Sequence, residues 1–482
     1  MTSPQDLFRK IQIIFGDLAT NKYLASTKEY AMLPRYVIEY LVSEFIQQHG
    51  PVNYASHLSE FIATHYHEAR EKDRILHEVM NGAEIQLIDE LKVETDVMIG
   101  HYRAHLMNLG VKDSMIAKSV IDNYENLLVT GMWGMIKIQY APEMVPRSRN
   151  GEPLLTPIII TDFKPFQSPV SDPTILKEAR RNFTFEEWLD VLINTIGLNH
   201  ERYSKRQKLI IISRLVPLVE NNTNMIELGP RATGKTYLYR NVTYYTRIFS
   251  GGNISPAVLF YNIARRSLGE IAVKDAVIFD EISKIKFSNP DEMMGKLKDY
   301  MESGHYERGP KKAYSTASLV FMGNISVETH GQAYTPIEEF TYVLPEPMRD
   351  SAFIDRINAV IPGWELPKIS RSALHLSHGY GIASDYYAEA LHELRKQNYQ
   401  HIIQQEVEFI GNYTIRDEKS ILKLACGLLK LLIPNAPDDG VSREELKQIM
   451  DIAVEYRNRI REWLHILQPG EFPKERLSYR IH

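Results

Sequence analysis

The 482-residue chain contains a single cysteine, Cys426. One thiol excludes a disulfide framework and a cysteine-based zinc site. Basic residues are not in excess either, because 56 Lys and Arg stand against 61 Asp and Glu, which leaves a net charge of −5. A positive field over the whole surface is therefore excluded, and any contact with nucleic acid has to use local basic patches.

Long apolar segments are also missing. No run reaches the ~18 apolar residues of a membrane-spanning helix. The first residues, MTSPQDLFRKIQIIFGDL, lack the basic start and apolar run of a secretory signal. We therefore predict a cytoplasmic protein with no membrane partner, and the low cysteine content is compatible with a reducing compartment.

The composition that is present indicates a large globular protein. Hydrophobic residues make up 44% and charged residues 24%, near the averages of soluble proteins, and the length corresponds to about two to four domains. The predicted fold class is multidomain α/β, because strands and helices alternate in one long segment. Changes of pattern predict five segments: a helical region over 1–75, a β-rich domain over 76–170, a helical linker over 171–221, an α/β domain over 222–375 and C-terminal helices over 376–482.

Three stretches of the second segment alternate or run apolar and are interrupted by Gly or Pro, which predicts strands. They read GHYRAHLMNLG, GMWGMIKIQYAPE and TPIIITDFKPFQ. A stretch with helical spacing, MIAKSVIDNYENLL, lies between the first two. Short strands with one helix among them predict a small OB-like β-barrel.

The strongest motif is MIELGPRATGKT, over residues 225–236. It matches G-x-x-x-x-G-K-[ST] after a predicted strand and before a predicted helix, YLYRNVTYYTRI, which is the context that phosphate binding requires. Backbone N–H groups of such a loop bind phosphate oxygens, the lysine neutralises their charge, and the Ser/Thr hydroxyl ligates Mg²⁺. The predicted ATP-binding residues are Gly229, Pro230, Arg231, Ala232, Thr233, Gly234, Lys235 and Thr236.

Two further buried strands end in polar residues. AVIFDE ends in Asp280 and Glu281, and ASLVFMGN ends in Asn324. Ligands bind at the carboxyl ends of parallel strands. We predict that Asp280 joins Thr236 in holding Mg²⁺, that Glu281 polarises the attacking water as a general base, and that Asn324 orients this water.

In this order, LGPRATGKT, LFYNIARRSLG, VIFDEISKIKF, DYMESGHYERG and SLVFMGN resemble the AAA+ core of BrxL, the Lon-like family of bacterial BREX phage-exclusion systems. The resemblance covers most of residues 30–435, and the core resembles the MCM branch of AAA+ proteins more loosely. It implies an AAA+ P-loop ATPase core with a helical lid. It further implies a homo-oligomeric ring, a hexamer or stacked rings, that binds DNA and works with other BREX proteins in phage defence.

The resemblance also assigns roles to residues outside the strands. Arg356, in SAFIDRI, matches the arginine of the MCM-type S-R-F segment and is implied to act as an arginine finger, with Arg349 as a nearby competitor. Arg416 matches the sensor-2 arginine at the start of a lid helix; the alternative is a helix N-terminal arginine paired with Asp417 or Glu418.

The segment ESGHYERGPKKAYS, over 302–315, occupies the interval that holds a pore hairpin in the MCM-like branch. Its basic residues Arg308, Lys311 and Lys312 are candidates for DNA phosphate contacts without base readout, while the alternative is a solvated charged loop. The wider family often carries a C-terminal protease domain with a Ser–Lys dyad. We find no serine segment of that kind before His482 and predict no peptidase activity from this chain.

Together these features predict a ring-forming ATPase that couples hydrolysis to binding or translocation of duplex DNA, largely without regard to sequence. Two alternatives remain open. One is a protein-directed unfoldase, the motor of a Lon-like protease, which would need aromatic pore-loop residues where the 302–315 segment is basic. The other is an ATP-gated DNA clamp, against which the intact Glu281 argues.

Overall fold

The computed structural model describes residues 3–482 except 27, 130, 168–169, 265, 331–332, 337–339 and 371–373. The chain forms two compact units. The smaller unit spans 24–169, and the larger one combines 1–23 with 170–482. Within the described residues, no helix is both long enough and apolar enough to cross a membrane.

The first 23 residues belong to the larger unit because their helix and strand pack there. Helix α1 (Pro4–Phe15) buries Leu7, Ile11 and Phe15, which recur every fourth residue on one face. Strand β1 (Ala19–Asn21) pairs antiparallel with residues 380–382.

The smaller unit combines three helices with a closed five-stranded barrel. Its longest helix is kinked at Gly50, whose φ of 76° is unavailable to a helical residue and which precedes Pro51. The helices are α2 (Arg35–His65), α3 (Lys72–Met80) and α4 (Lys118–Asn123). The strands are β2 (Ile85–Asp96), β3 (His101–Leu106), β4 (Val111–Ile116), β5 (Met132–Tyr140) and β6 (Thr156–Pro165).

The barrel confirms the predicted small β-barrel, in the strand order β2-β3-β4-β6-β5. In β5, buried and partly exposed residues alternate, so that Ile136 and Ile138 face the core. The predicted helix MIAKSVIDNYENLL is wrong at its start, because Met115 and Ile116 pair with β6 as the end of β4. The helix α4 begins only after Ala117, which has an extended backbone.

The larger unit is built on a five-stranded sheet whose neighbouring strands are all parallel. Its order is β17-β7-β14-β11-β8. The sheet strands are β7 (Met225–Gly229), β8 (Thr246–Ile254), β11 (Ala276–Phe287), β14 (Ser318–Asn324) and β17 (Ala359–Pro362). Short paired strands are β9 (Tyr261–Asn262), β10 (Ser267–Leu268), β12 (His305–Arg308), β13 (Lys311–Tyr314), β15 (Val327–His330), β16 (Ala333–Pro336), β18 (Tyr380–Ile382), β19 (Val407–Ile410) and β20 (Ser478–Ile481).

Helices cover both faces of this sheet, because strands such as β7, β14 and β17 are buried along almost their whole length rather than on one face only. Ala276 and Ile278 of β11 belong to the apolar core formed with the C-terminal helices, whereas Val277 and Phe279 pack on the face that α12 covers. The helices are α5 (Thr174–Arg180), α6 (Phe185–Thr195), α7 (Lys205–Ser213), α8 (Val216–Val219), α9 (Lys235–Asn241), α10 (Pro256–Leu259), α11 (Glu270–Val273), α12 (Pro290–Ser303), α13 (Ser351–Asp355), α14 (Ser384–Arg395), α15 (Gln400–Glu406), α16 (Ile415–Leu432), α17 (Ala436–Asp439) and α18 (Arg443–Leu467).

Two predicted elements differ in extent. The helix predicted through YLYRNVTYYTRI ends at Asn241, and Thr246 already opens strand β8. Strand β11 was expected to end in Asp280 and Glu281, but after a shift of register it pairs with β8 again from Ile285 to Phe287.

Candidate functional site

The glycine-rich loop (229–236) connects β7, an interior strand of the sheet, to helix α9. Gly234 has a φ of 77° and Ala232 a φ of 65°, both left-handed conformations. A Cβ at Gly229 would lie 2.5 Å from the carbonyl carbon of Gly363, so a side chain is excluded at this close backbone approach. The motif glycines therefore permit the turn and the packing that the loop requires.

The lysine of this loop is buried against the loop backbone. Its Nζ donates to the carbonyl oxygens of Gly229 at 3.0 Å and Pro230 at 2.8 Å. Burial lowers the pKa of the Lys235 ammonium, and the nearby Glu227 carboxylate opposes that shift. Within the loop, Thr233 is buried, while Arg231 and Ala232 are exposed.

The structure brings together the two residues predicted to hold Mg²⁺. The Thr236 hydroxyl donates to Oδ2 of Asp280 at 2.7 Å, and Oδ1 of Asp280 accepts from the backbone N–H of Glu281 at 2.8 Å. In the described part of the chain, no group of three or more His, Cys, Asp or Glu side chains is placed to hold a metal ion. One hydroxyl and one carboxylate fit Mg²⁺ bound together with phosphates, because this ion often takes only one or two carboxylates from the protein.

The predicted general base adopts a strained backbone. Glu281 has a φ of 50°, a left-handed conformation that is uncommon for a residue with a side chain. Its carboxylate lies 3.0 Å from the ammonium of Lys284 in an ion pair. This residue lies within the register shift of β11, between Asp280 and Ile285, and the ion pair with Lys284 is a contact that the sequence analysis missed.

Asn324 lies where the neighbouring strand ends, beside the start of the glycine-rich loop. It pairs with Gly229 in the register of β14 and β7, and the N–H of Ile325 donates to the Gly229 carbonyl at 3.3 Å. Strand β14 lies between β7 and β11, so the predicted Asn324, Asp280 and loop residues share the carboxyl edge of the sheet.

Two family models match the chain. One describes the ATPase domain of "Lon-like protease BrxL-like" proteins and covers residues 158–478; the other describes the N-terminal region of the "BREX system Lon protease-like protein BrxL" and covers 13–140. The chain belongs to the BrxL family. This confirms the resemblance on which the predictions rested.

Two curated relatives are named Lon-like protease BrxL. The one from Escherichia coli O9:H4 (strain HS) is 33% identical over 461 residues, which are 94% of this chain and 63% of the relative. The one from Bacillus cereus (strain H3081.97) is 32% identical over 482 residues, 98% of this chain and 69% of the relative. The chain thus spans about two thirds of the length of these BrxL proteins.

The two arginines predicted to act on the γ-phosphate lie at the opposite edge of the sheet. Arg356 precedes Asn358, whose N–H donates to the Asn224 carbonyl at 2.7 Å, just before β7 begins. Arg416, at the start of α16, forms an ion pair with Asp355. The structure therefore does not bring either arginine to the glycine-rich loop of its own chain.

A shared carboxylate joins these two arginines. Glu302, at the end of α12, lies 3.3 Å from Nε of Arg356 and 2.6 Å from a terminal nitrogen of Arg416. Neither Asp417 nor Glu418 is the partner that the alternative interpretation named, because Asp417 binds the buried guanidinium of Arg457 at 2.8 Å instead. Glu302 and Asp355 were missed because their sequence positions carry no signal of this pairing.

Residues 305–314 of the basic segment form a hairpin of β12 and β13 that turns at Gly309, while Glu302 and Ser303 end helix α12. Lys311 and Lys312 are exposed on it. Arg308 is not free, because it donates to the Tyr261 carbonyl and lies 3.9 Å from the Glu292 carboxylate. Of the three DNA candidates, the two lysines are exposed to solvent, and Lys312 lies 3.2 Å from the exposed Glu307 carboxylate in an ion pair.

The Lon-like name of the relatives makes serine–lysine pairs relevant to this member of the BrxL family. Lys22 donates to the Ser384 hydroxyl at 3.1 Å. Both side chains are buried, and a Cβ at Gly381 would lie 2.9 Å from the Lys22 side chain. This pair is packed in the interior and does not present a nucleophile to a polypeptide.

Proposed function

We propose that the chain is an AAA+ P-loop ATPase that binds ATP and Mg²⁺ at the glycine-rich loop. The observation that carries the proposal is the Thr236–Asp280 contact of 2.7 Å beside the buried Lys235, at the carboxyl edge of a parallel sheet. The match to the ATPase-domain model of the BrxL family supports it independently.

The residues divide the chemistry among them. On ATP binding, the Lys235 ammonium gives up its hydrogen bonds to the loop carbonyls and donates to phosphate oxygens instead. The backbone N–H groups of the loop bind the remaining phosphate oxygens. Thr236 and Asp280 hold Mg²⁺, which neutralises phosphate charge when bound. Glu281 takes the proton of the attacking water once its carboxylate leaves Lys284, and Asn324 orients that water.

The position of the arginines supports a homo-oligomeric ring, either a hexamer or stacked rings. Arg356 and Arg416 lie at the edge of the sheet opposite their own loop, so they serve catalysis only if they reach the nucleotide of a neighbouring subunit. The helices α14–α18 act as the lid that carries Arg416.

Exposed lysines on the β12–β13 hairpin support sequence-independent contacts with duplex DNA. The five-stranded barrel of the smaller unit supports an OB-like module. We assign the assembly to BREX phage defence in the cytoplasm together with other BREX proteins. We also propose that this chain has no peptidase activity, as the sequence predicts.

An ATP-gated DNA clamp is the second candidate. The pairing of Glu281 with Lys284 favours it, because Lys284 competes with the attacking water for the Glu281 carboxylate. In a clamp, ATP would drive assembly on DNA without turnover.

The test is steady-state ATP turnover of the purified chain with and without duplex DNA, beside Glu281→Gln. Turnover that DNA stimulates and the variant loses supports the DNA-coupled motor. Turnover indifferent to DNA shifts the assignment to a protein-directed unfoldase, and ATP binding without turnover favours the clamp.

A further inference from the structure

A buried ion pair lies directly beneath the glycine-rich loop. Arg214, just after helix α7, binds Glu227 of strand β7 through two nitrogens, at 3.0 Å from Nε and 2.6 Å from a terminal nitrogen. The side chains are 1% and 0% exposed. A two-point pair of this kind fixes the orientation of the guanidinium plane.

The same guanidinium also holds the loop itself. Its third nitrogen donates to the Thr233 carbonyl at 3.1 Å, inside the glycine-rich loop. On the far side of the loop, the Tyr239 hydroxyl of α9 donates to the backbone carbonyl of Arg214 at 2.8 Å. One residue thus contacts the strand before the loop, the loop and the helix after it.

Glu227 connects the pair to the segment that follows β17. A Cβ at Gly363 would lie 2.5 Å from Oε1 of Glu227, so this backbone packs directly on the carboxylate. Six residues later, the N–H of Ile369 donates to the Ala232 carbonyl at 2.7 Å, and the Ile369 side chain lies against Gly234. The loop is therefore held between this segment and the Arg214 guanidinium.

Charge is unexpected at this place in the sheet. The other residues of β7 before the loop, Met225, Ile226 and Leu228, are buried and apolar, which is the pattern of a central parallel strand. Replacing a buried ion pair by apolar residues often leaves stability unchanged or higher. Packing alone therefore gives no reason for a charged pair, whereas directional hydrogen bonds to the loop do.

We propose that Arg214 and Glu227 are positioning residues that hold the glycine-rich loop in the shape that binds the phosphates of ATP. The proposal rests on the proposed function, since it concerns the same site. Neither residue is assigned a contact with nucleotide, and their effect passes through Thr233 and the backbone of the loop. Preorganisation of this kind raises affinity, because a loop that already has its binding shape loses little conformational entropy when ATP binds.

The test compares binding of a fluorescent Mg²⁺–ATP analogue by the full chain and by Arg214→Met/Glu227→Leu, with thermal unfolding measured in parallel. We expect the double variant to unfold near the wild-type temperature and to bind at least about tenfold more weakly. In turnover, KM for ATP is expected to rise more than kcat falls, because Lys235, Asp280 and Glu281 remain.

Two further variants keep the proposal falsifiable. Lys430→Met/Glu220→Leu removes another buried ion pair, in which Nζ of Lys430 lies 2.8 Å from the Glu220 carboxylate. This variant is expected to bind the analogue like wild type. Arg214→Lys keeps the positive charge beside Glu227 but cannot hold Thr233 at the same time, so an intermediate affinity is expected.

Wild-type affinity in Arg214→Met/Glu227→Leu, or an equal loss in the Lys430/Glu220 control, would overturn the positioning role. If the first double variant does not fold, wild-type affinity in Arg214→Lys overturns it. A wild-type chain that does not bind the analogue contradicts the proposed function itself, so the two failures are distinguishable.

Discussion

Thr236 and Asp280 meet through a hydrogen bond of 2.7 Å, although they follow different strands of the sheet. The contact joins the glycine-rich loop after β7 to the acidic end of the first part of β11. It places a hydroxyl and a carboxylate oxygen at one point, and both are oxygen ligands that Mg²⁺ prefers. A nucleotide site of the kind we propose requires this juxtaposition.

Asp280→Asn is expected to remove the dependence of ATP binding on Mg²⁺ while keeping the shape of the side chain. Turnover should fall at least about 10²-fold, because the metal supplies much of the charge stabilisation. Titration of nucleotide with and without Mg²⁺ checks this. Equal Mg²⁺ dependence in Asp280→Asn and wild type would exclude Asp280 as a ligand.

Arg356→Ala and Arg416→Ala are expected to lower turnover about 10³-fold without weakening ATP binding by an isolated subunit, since neither arginine lies at its own loop. Arg349→Ala is the matched comparison, because Arg349 is nearby and donates instead to the Leu344 carbonyl. If turnover is lost in Arg349→Ala but kept in Arg356→Ala, Arg349 and not Arg356 is the arginine finger.

Lys311→Ala/Lys312→Ala is expected to weaken duplex binding at moderate salt. It should also lower the slope of log affinity against log salt by about two, because each phosphate contact releases counterions. Lys447→Ala/Lys396→Ala removes two exposed lysines, one in α18 and one directly after α14, and serves as the control. If the hairpin variant leaves the slope of log affinity against log salt unchanged, the hairpin does not contact DNA phosphates.

Asp89 gives a pH-dependent prediction in the barrel. Burial raises its pKa to about 6, although its carboxylate accepts from three backbone N–H groups, those of Glu90, Asn108 and Leu109. Because the folded-state pKa lies above the unfolded one, the fold favours the protonated acid. The stabilisation from this group is present below pH 4 and is lost as pH rises through about 6.

The stability advantage of wild type over Asp89→Asn should therefore be larger at pH 5 than at pH 7.5. The expected change between these two pH values is about 1 kcal/mol, because only about one pH unit, from 5 to the folded-state pKa of about 6, lies in the window where the stabilisation is lost. Thermal unfolding of both proteins at the two pH values measures it. An advantage that grows with pH would contradict the raised pKa.

The strands that carry the candidate site were predictable because their patterns are local. MIELG is an apolar run that leads into the glycine-rich motif and VIFDE is an apolar run with an acidic end, and both lie in the sheet as expected. Strand β2 was missed because Asp89, Glu90, Lys92 and Glu94 obscure its alternation. The end of α9 was misplaced because Thr246 and Ile248 pair with β11, a contact that local spacing does not contain.

The ion-pair partners of the charged site residues could not be predicted from the spacing of residues in the sequence. Glu302 and Arg416 are far apart in sequence, and they meet only because α12 and α16 reach the same edge of the sheet. The Arg214–Glu227 pair had one local signal, a glutamate inside an apolar strand, whose partner is supplied by a different helix. Side-chain pairing between distant elements is a property of the tertiary fold.

We propose an ATP site that is completed by the arginines of a neighbouring subunit. Mixing Lys235→Ala with Arg356→Ala, each inactive alone, and measuring ATP turnover tests this. We expect activity to return, because the intact loop of one variant meets the intact Arg356 of the other. Mixed assemblies that contain both variants and remain inactive would contradict it.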